Sequence, residues 1–346
     1  MKTIILTGGG TAGHVMPNVA ILPFLQDHKI IYIGSNGIES EIISKYQQVE
    51  FHQIECAKLR RSLTPKNLLI PFRVIKGIRQ ARKIIKQVQP SVVFSKGGFV
   101  SYPVVRAAKK YKIPIILHES DMTMGLANKL SVKRCSQVLT TFFDTAKEIQ
   151  AKYKKAKVMH TGSPLRQEIY IGNAESIGSS DRKKMLVIGG SLGAKKINDT
   201  LREIIPKIDG WEIIHITGKG KMTESTKYDY YKQLEFVDNI YDYFAWADIV
   251  ISRAGSNSLC ELLALKKPML LIPLSSGRGD QIQNAKYVSS KNAAAVLWED
   301  VLNAETLAKG VNQVWERRDE LVRNCVSYFS GIDGTQKVIQ QINLHI

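Results

Sequence analysis

The chain has 346 residues, with 49 basic and 31 acidic side chains and a formal net charge of +18. This length exceeds what one hydrophobic core usually serves, and a hydrophobic fraction of 44% argues against disorder. No segment approaches the roughly 18 uncharged apolar residues of a membrane-spanning helix, and the start of the chain lacks the apolar core and cleavage site of a signal peptide. Four dispersed cysteines without a C-x-x-C pair predict neither a zinc site nor a disulfide framework. We therefore expect a soluble two-domain protein of a reducing compartment.

The basic charge is concentrated in one part of the chain. Fifteen Lys and Arg residues and no acidic residue lie between Glu55 and Glu119. Such a charge suits a nucleic acid or an anionic membrane, and it also occurs in proteins from lysine-rich proteomes. RNA recognition favours aromatic side chains among the cations, and residues 56–88 offer only Phe72. We therefore predict no nucleic-acid partner, and a non-enzymatic lipid- or nucleic-acid-binding module remains an alternative that depends on charge alone.

Short apolar runs alternate with helical patterns along the whole chain. The runs that predict buried parallel strands are 3–6, 30–33, 92–94, 113–117, 138–140, 185–188, 212–216, 248–252 and 269–273. The helical patterns in the first half lie near 15–27, 72–88, 101–112 and 123–134. Two consecutive β/α series predict an α/β protein with two doubly wound, Rossmann-like domains.

The join between the two series falls where their pattern is interrupted. Gly162-Ser163-Pro164 and the polar stretch 172–181 separate the strands on either side. We therefore predict a first domain at 1–163 and a second at 164–332. The final helix, about 333–346, is expected to rejoin the first domain.

In each of the two series, a glycine turn follows the first strand. Gly8, Gly10 and Gly13 have the spacing G-x-G-x-x-G, and 189–194 reads Gly-Gly-Ser-Leu-Gly-Ala. Such turns bring main-chain N–H groups close to an anion at a helix N-terminus. A dinucleotide would also need an acidic residue at the end of the second strand, and residues 33–36 have none. An NAD oxidoreductase is therefore disfavoured, and a plain turn remains the alternative.

A third glycine turn and a histidine complete the first domain's candidate site. Ser95–Ser101 follows a strand and contains Lys96, so it could cradle a phosphate or form a plain turn. His14 begins a helix whose dipole favours a neutral imidazole, and this suits a general base. The three glycine turns would converge on an interdomain cleft and indicate two phosphorylated ligands.

Polar residues at two places mark the second domain's candidate site. Ser252–Glu261 enters a helix, where Glu261 could be the capping-box acid of Ser258 or could accept ribose hydroxyls. The polar loop 273–285 carries Asp280, Gln281 and Asn284, whose groups suit sugar hydroxyls and amides.

Seven motifs in this order together resemble the MurG family of bacterial UDP-N-acetylglucosamine (UDP-GlcNAc) transferases. They are GGGTAGHVMPNVAI from Gly8, SKGGFVSYP from Ser95, HESDMTMGLANK from His118, GSPLR from Gly162, GGSLGAKKIN from Gly189, SRAGSNSLCE from Ser252 and DQIQNA from Asp280. The resemblance covers essentially the whole chain and implies the GT-B fold, with two Rossmann-like domains facing a cleft.

The resemblance also implies an activity. An inverting hexosyltransferase would move GlcNAc from UDP-GlcNAc to the 4-hydroxyl of MurNAc in lipid I (undecaprenyl-diphospho-MurNAc-pentapeptide). The product is lipid II for peptidoglycan synthesis, which supports cell shape and division. The alternative enzyme is another GT-B member, such as a UDP-GlcNAc 2-epimerase.

Site residues follow from the resemblance by position. His14 is the expected base, with Glu119 as a second candidate. Ser191 and Arg166 are expected at the donor diphosphate, Val237 at the uracil, Glu261 at the ribose and Gln281 at the GlcNAc. The full donor set is Thr11, Ala12, Gly13, Asp121, Asn128, Arg166, Ser191, Val237, Ser256, Asn257, Ser258, Leu259, Cys260, Glu261 and Gln281. The acceptor diphosphate is assigned to Ser95, Lys96, Gly97 and Gly98.

The chain departs from the family pattern at two donor positions, mildly at Ala12, where the family has a glycine, and more seriously at Asp121. Many members read HEQN where this chain has His118-Glu119-Ser120-Asp121. An ionised Asp121 cannot donate a hydrogen bond as the usual asparagine does, and Asn128 is expected to compensate.

The basic stretch predicts a contact with the membrane. No cofactor is predicted. Leu68, Leu69, Ile70 and Phe72 form an apolar tip beside Arg73 and Lys76, which suits anionic inner-leaflet lipids. The alternative is an ordinary amphipathic helix, above all at 78–88. We expect a peripheral protein on the cytoplasmic face of the bacterial membrane, with other cell-wall synthesis proteins as possible partners. The chain contains no D-x-D motif, so we predict no intrinsic metal site, although a loosely bound divalent cation could stimulate the reaction.

Overall fold

The computed structural model describes residues 1–57, 70–178, 180–190, 193–223 and 228–346. These residues form two compact units. The first contains Met1–Arg166 and Gly331–Ile346, and the second contains Gln167–Ser330. The sequence-based boundaries were placed at 163 and 332.

The first unit is built on a seven-stranded parallel sheet. Its strands are β1 (Thr3–Thr7), β2 (Lys29–Gly34), β3 (Val49–Gln53), β4 (Val92–Ser95), β5 (Ile115–Glu119), β6 (Gln137–Thr140) and β7 (Val158–His160). Their order across the sheet is β3-β2-β1-β4-β5-β6-β7. Ile5 in the central strand pairs with Ile31 on one side and Val93 on the other.

Helices cover both faces of this sheet. They are α1 (Ala12–Ile21), α2 (Ile38–Ile43), α3 (Ile70–Val88), α4 (Ser101–Lys110), α5 (Leu126–Ser131), α6 (Phe143–Lys152) and α13 (Thr335–Asn343). Ile4 of β1 faces a core that includes Val338 of α13, while Ile5 faces a core that includes Val104 of α4. The strands are apolar on both faces because both faces are covered.

The second unit repeats this architecture with six parallel strands. They are β8 (Lys183–Ile188), β9 (Trp211–Ile216), β10 (Tyr231–Leu234), β11 (Ile249–Ser252), β12 (Met269–Leu271) and β13 (Ala295–Val296), in the order β10-β9-β8-β11-β12-β13. Its helices are α7 (Lys195–Ile204), α8 (Ile240–Trp246), α9 (Ser256–Ala264), α10 (Asp280–Ser290), α11 (Ala304–Glu316) and α12 (Arg318–Phe329). Short 3₁₀ helices occur at Leu22–Phe24, Val132–Arg134, Gln167–Tyr170, Ala174–Ser176 and Ile205–Lys207.

Each sheet has a point where the strand order reverses. In the first unit it lies between β1 and β4, and in the second between β8 and β11. Ligands of doubly wound sheets bind outside the carboxyl ends of the strands at such a point. The glycine turns at Gly8, Ser95 and Gly189 and the Ser252 segment all follow these four strands. The predicted fold class, two Rossmann-like α/β domains, is confirmed.

Two helical predictions need correction. The pattern at 15–27 ends earlier, because α1 stops at Ile21 and Pro23 lies in the following 3₁₀ turn. The helix predicted at 72–88 is described over Ile70–Val88, so it includes Pro71.

Candidate active site

The two glycine turns of the first unit contact each other. Gly98 has φ +78, and a Cβ atom there would lie 2.3 Å from the carbonyl oxygen of Gly9. Gly10 has φ +83, and a Cβ atom there would meet the Phe99 ring. Only glycine allows both the left-handed backbone and this close approach. The predicted turns at 8–13 and 95–98 therefore form one surface at the reversal point.

His14 lies in the first turn of α1, next to this surface. Its ring Nδ1 is 3.0 Å from Thr11 Oγ1, and its backbone N–H donates to the Thr11 carbonyl. Thr11 is exposed, while Ala12, Gly13 and His14 are half-buried. The first helical turn thus presents an imidazole and a hydroxyl, and an imidazole can accept a proton from a bound hydroxyl group.

Lys96 does not present its ammonium group at the second glycine turn. The residue is 1% exposed, and its Nζ lies 2.6 Å from His118 Nδ1 and donates to Ser120 Oγ at 2.7 Å. The structure thus shows the Lys96 ammonium group turned into the protein, and its contact with the acceptor diphosphate stays a prediction. Its side chain instead links the β4 and β5 loops, while Gly97 and Gly98 remain at the surface as half-buried residues.

His118 is a buried, neutral histidine. Its Nε2–H donates to the Gly162 carbonyl at 2.9 Å, which leaves Nδ1 to accept from Lys96. Burial, and then the charge of Lys96, hold the pKa of His118 well below its usual range. His118 is therefore a hydrogen-bonded histidine of the core, near the end of β5.

Glu119 holds the loop that follows β5. Its Oε1 accepts from the backbone N–H groups of Ser120 and Asp121, and its Oε2 accepts from Gly125 N–H and Asn128 Nδ2. Burial, and then the charge of Asp121, raise the pKa of this carboxyl group. Both oxygens are engaged, so the structure favours a loop-holding role over the predicted proton transfer.

Asn128 and Asp121 differ in exposure. Asn128 is buried, donates to Glu119 and to the His118 carbonyl, and leaves its own Oδ1 without a hydrogen-bond partner. A Cβ atom at Gly97 would lie 3.1 Å from that amide group. Asp121 is half-buried on the loop. Asn128 therefore lies against the glycine turn at Gly97, and its contact with the donor stays a prediction.

One buried acid at this site was missed by the sequence reasoning. Glu39 of α2 accepts a hydrogen bond from the backbone N–H of Gly10 at 3.1 Å. A ribose-binding acid is expected at the end of the second strand, residues 33–36, and Glu39 lies three residues further along the chain. The sequence shows only that Glu39 follows β2 closely, and this position does not reveal a contact with Gly10.

The second unit has a glycine turn of similar construction. Gly190 has φ +86 and Gly193 has φ +66, and a Cβ atom at Gly193 would lie 2.0 Å from the Thr217 carbonyl oxygen. Ala194 is the N-cap residue of α7, so this turn leads directly into a helix N-terminus. Ser191, the predicted diphosphate contact, lies outside the described residues.

The predicted nucleotide segment 256–261 forms the start of α9. Ser256, Asn257 and Ser258 are half-buried in its first turn. The side chains of Leu259 and Cys260 are 0% exposed and lie in the core, and the contact of these two residues with a nucleotide stays a prediction.

Glu261 lies in the second turn of the same helix. Since α9 begins at Ser256 after the N-cap residue Gly255, a capping-box acid would stand at position 258. The capping-box alternative for Glu261 is therefore wrong. The residue is buried near the helix start, and its role at a ribose stays a prediction.

The loop after β12 is held by side chains from three segments. Arg253 donates to the Ile272 carbonyl and forms an ion pair with Glu299, whose other oxygen accepts from Ser275 N–H and Oγ. Although burial alone would raise the pKa of Glu299, the hydrogen bonds from Ser275 and Arg253 lower it. Gln281 Oε1 accepts from the Leu274 N–H at 2.9 Å. This hydrogen bond joins the start of α10 to the beginning of the loop.

The structure also shows where three further predicted site residues lie, and their contacts with a ligand stay predictions. Asn284 is buried and donates to the Ala254 carbonyl, which joins α10 to the segment before α9. Val237 is half-buried after β10, beside the exposed Phe236. Arg166 is half-buried and is the last residue of the first unit before the crossing to the second.

The predicted membrane contact is only partly described. Leu68 and Leu69 lie outside the described residues. Ile70 begins α3, Phe72 is 71% exposed and Ile75 is 47% exposed, with Arg73 and Lys76 exposed beside them. Lys76 also pairs with Glu55 at 3.1 Å.

The described ranges contain neither a cluster of metal ligands nor a membrane-spanning helix. Within them, no group of three or more His, Cys, Asp or Glu side chains could hold a metal ion. None of the helices described there has the length and apolar character needed to cross a bilayer.

Comparison with known families matches both units. The N-terminal domain of glycosyltransferase family 28 matches residues 4–140, and the C-terminal domain of that family matches residues 184–325.

Curated relatives match over nearly the whole length. A Bacillus cereus protein named UDP-N-acetylglucosamine--N-acetylmuramyl-(pentapeptide) pyrophosphoryl-undecaprenol N-acetylglucosamine transferase 2 is 44% identical, and the match covers 99% of each chain. A protein from Lachnoclostridium phytofermentans, with the same name apart from the final number, is 46% identical over 93% of each chain.

Solved structures share the fold at lower identity. MurG from Acinetobacter baumannii superposes with a TM-score of 0.77 at 21% identity, covering 99% of this chain and 100% of that one. The UDP-GlcNAc 2-epimerase from Neisseria meningitidis superposes with a TM-score of 0.69 at 12% identity, covering both chains completely. At these identities the structures establish the GT-B fold, and they do not distinguish the two activities.

Proposed function

The chain belongs to glycosyltransferase family 28 and, within it, to the MurG transferases, and from this premise we propose its reaction. The protein transfers GlcNAc from UDP-GlcNAc to the 4-hydroxyl of MurNAc in lipid I and so forms lipid II. The observation that carries this proposal is the match, over 99% of both chains, to a relative named for that transfer. The epimerase shares only the fold, at 12% identity.

The first unit supplies the acceptor side of the reaction. His14 takes the proton from the attacking 4-hydroxyl, since its imidazole stands at the surface of the α1 start beside Thr11. The backbone of the two touching glycine turns offers N–H groups to the acceptor diphosphate. Lys96 contributes by holding the β4 and β5 loops together, because its ammonium group is buried between His118 and Ser120.

The second unit supplies the donor side. The glycine turn at Gly190–Gly193 and the N-terminus of α7 stabilise the negative charge that develops on the departing UDP. Ser256–Ser258 and Glu261 at the start of α9 bind the nucleoside, and Gln281 reads the sugar. A single displacement by the acceptor hydroxyl inverts the anomeric carbon. We propose that this charge stabilisation operates without a resident metal ion.

The start of α3 binds the membrane that carries the acceptor. Phe72 and Ile75 expose apolar surface next to the cations Arg73 and Lys76. Such a pairing suits an anionic bilayer, at about 1 kcal/mol per well-placed cation. The protein is then peripheral, and it works at the cytoplasmic face of the cell membrane.

The test is transfer from radiolabelled UDP-GlcNAc to a short-chain lipid I analogue, with wild type compared with His14→Ala. We expect the variant to lose at least about a hundredfold in rate while it keeps its affinity for UDP-GlcNAc, as for loss of a general base. His52→Ala is the control, because His52 lies on the edge strand β3 and contacts Glu50.

Other outcomes would revise the proposal in different ways. If transfer survives His14→Ala, His14 is not the general base, and the assignment as a transferase stands. Conversion of UDP-GlcNAc alone into another sugar nucleotide, without transfer, would support the epimerase.

A further inference from the structure

Glu39 places a buried carboxylate directly beneath the first glycine turn. The residue is 0% exposed and lies in the first turn of α2. Its Oε2 accepts from the Gly10 N–H at 3.1 Å, while its Oε1 accepts from the Ser35 N–H at 2.9 Å and from Ser35 Oγ. The carboxylate therefore joins the end of β2 to the turn that follows β1.

Three glycines make the space for this side chain. A Cβ atom at Gly9 would lie 2.5 Å from Glu39 Cδ, one at Gly34 would lie 2.9 Å from Cγ, and one at Gly37 would lie 3.2 Å from Oε2. A buried carboxylate is costly unless it is hydrogen-bonded, and this one has three donors. The glycines of two separate turns and the acid thus form one fitted arrangement.

The turn held by Glu39 carries the proposed base. Gly10 immediately precedes Thr11, whose carbonyl accepts the His14 N–H at 3.1 Å. Thr11 Oγ1 is 3.0 Å from the His14 ring. A shift of Gly10 would therefore be passed to Thr11 and then to the imidazole, and displacements of about 1 Å can cost about a hundredfold in rate.

We propose that Glu39 is a positioning residue for the transfer reaction. Its carboxylate is an internal anion that occupies the Gly10 amide and fixes the turn from which Thr11 and His14 project. This inference rests on the proposed function, because it assumes that His14 acts as the base.

The hydrogen-bond pattern selects an informative variant. Both carboxylate oxygens accept hydrogen bonds, whereas a glutamine can accept through one oxygen and must turn its NH₂ group toward another N–H donor. Glu39→Gln keeps the volume and removes one of the two attachments. A role in packing alone would leave this isosteric variant unaffected. Glu41→Gln, an exposed acid on the same helix, is the matched control.

The first experiment measures kcat, the KM for UDP-GlcNAc and backbone amide exchange in the peptide 8–14. For Glu39→Gln we expect kcat to fall at least about tenfold, with KM within about threefold of wild type, since positioning affects the reacting geometry and the predicted nucleoside and diphosphate contacts of the donor lie mostly in the other unit. Exchange in 8–14 should become faster. Glu41→Gln should match wild type in all three measurements.

The second experiment tests the missing anion directly. In Glu39→Ala, added formate should restore part of kcat and slow the exchange of 8–14, while chloride at the same ionic strength should do neither. The proposal is overturned if Glu39→Gln keeps wild-type kcat and exchange, or if formate restores neither property in Glu39→Ala. Should wild type itself transfer nothing, the proposed function fails, and the exchange measurements still decide whether Glu39 holds the turn.

Discussion

At the scale of single residues, His215 shows how burial fixes a charge state. Its Nε2–H donates to Asn198 Oδ1 at 3.0 Å, and its Nδ1 accepts from the Tyr231 hydroxyl at 2.7 Å. Burial, and then the charge of Arg202, lower the pKa of His215 to about 3. The neutral ring satisfies both partners, whereas a protonated ring would face the Tyr231 hydroxyl with a second N–H.

This lowered pKa predicts a loss of stability in mild acid. In the unfolded chain the His215 imidazole binds a proton below about pH 6.5, whereas in the folded chain it stays neutral down to about pH 3. The stabilisation is therefore fully present above pH 6.5 and is lost as the pH falls toward 3, by up to about 1.4 kcal/mol per pH unit. We expect the free energy of unfolding of the second unit to fall between pH 7 and pH 5.

Tryptophan fluorescence can follow this unfolding, because all four tryptophans lie in the second unit. His215→Gln removes the titrating group, and its unfolding free energy should depend less on pH than that of wild type. An equal pH dependence in the two proteins would contradict the assignment to His215.

The site residues show where reasoning from sequence reached its limit. The positions of His14, the glycine turns and Glu261 follow from local patterns that end a strand or begin a helix. The contact of Glu39 with Gly10 joins residues 29 positions apart, and the burial of Lys96 depends on His118 from another strand. No local pattern encodes such contacts, because they form only when neighbouring strands bring their loops together.

At the scale of elements, central strands could be predicted from the sequence and edge strands could not. The strands β1, β2, β4 and β5 were predicted because their residues are apolar on both faces. The strands β3, β7, β10 and β13 were missed, since they are short or, like the partly exposed Val49–Gln53, lie at an edge. A search for continuous apolar runs detects only strands that helices cover on both sides.

Helix α3 carries the prediction on membrane binding. We expect Phe72→Ser combined with Ile75→Ser to weaken binding to anionic vesicles at least about tenfold, because burial of each apolar side chain contributes about 1.5–3 kcal/mol. Co-sedimentation with vesicles measures this, and transfer to a water-soluble acceptor should be retained. Val326→Ser, a similarly exposed apolar position on α12, is the control. Equal losses in both variants would mean that α3 has no special membrane role.

At the scale of the whole molecule, the two units have separate cores, and the proposed donor site lies mainly in the second unit. UDP-GlcNAc should therefore stabilise the second unit first, by about 2.7 kcal/mol at a concentration one hundred times Kd. Thermal unfolding followed by tryptophan fluorescence measures this shift, since the signal comes from that unit alone. UMP is expected to give a smaller shift, because it lacks the second phosphate and the sugar. A transition that does not move with UDP-GlcNAc would contradict donor binding by the second unit.

The return of the chain to the first unit has a consequence for synthesis. Val338, Ile339 and Ile342 of α13 belong to the same apolar core as Ile4 and Leu6 of β1. Residues 331–346 are synthesised after all of 167–330, so the core of the first unit cannot be completed before the second unit has been synthesised. The nascent first unit keeps an apolar face open until the last helix arrives, which makes that interval a point at which chaperones would act.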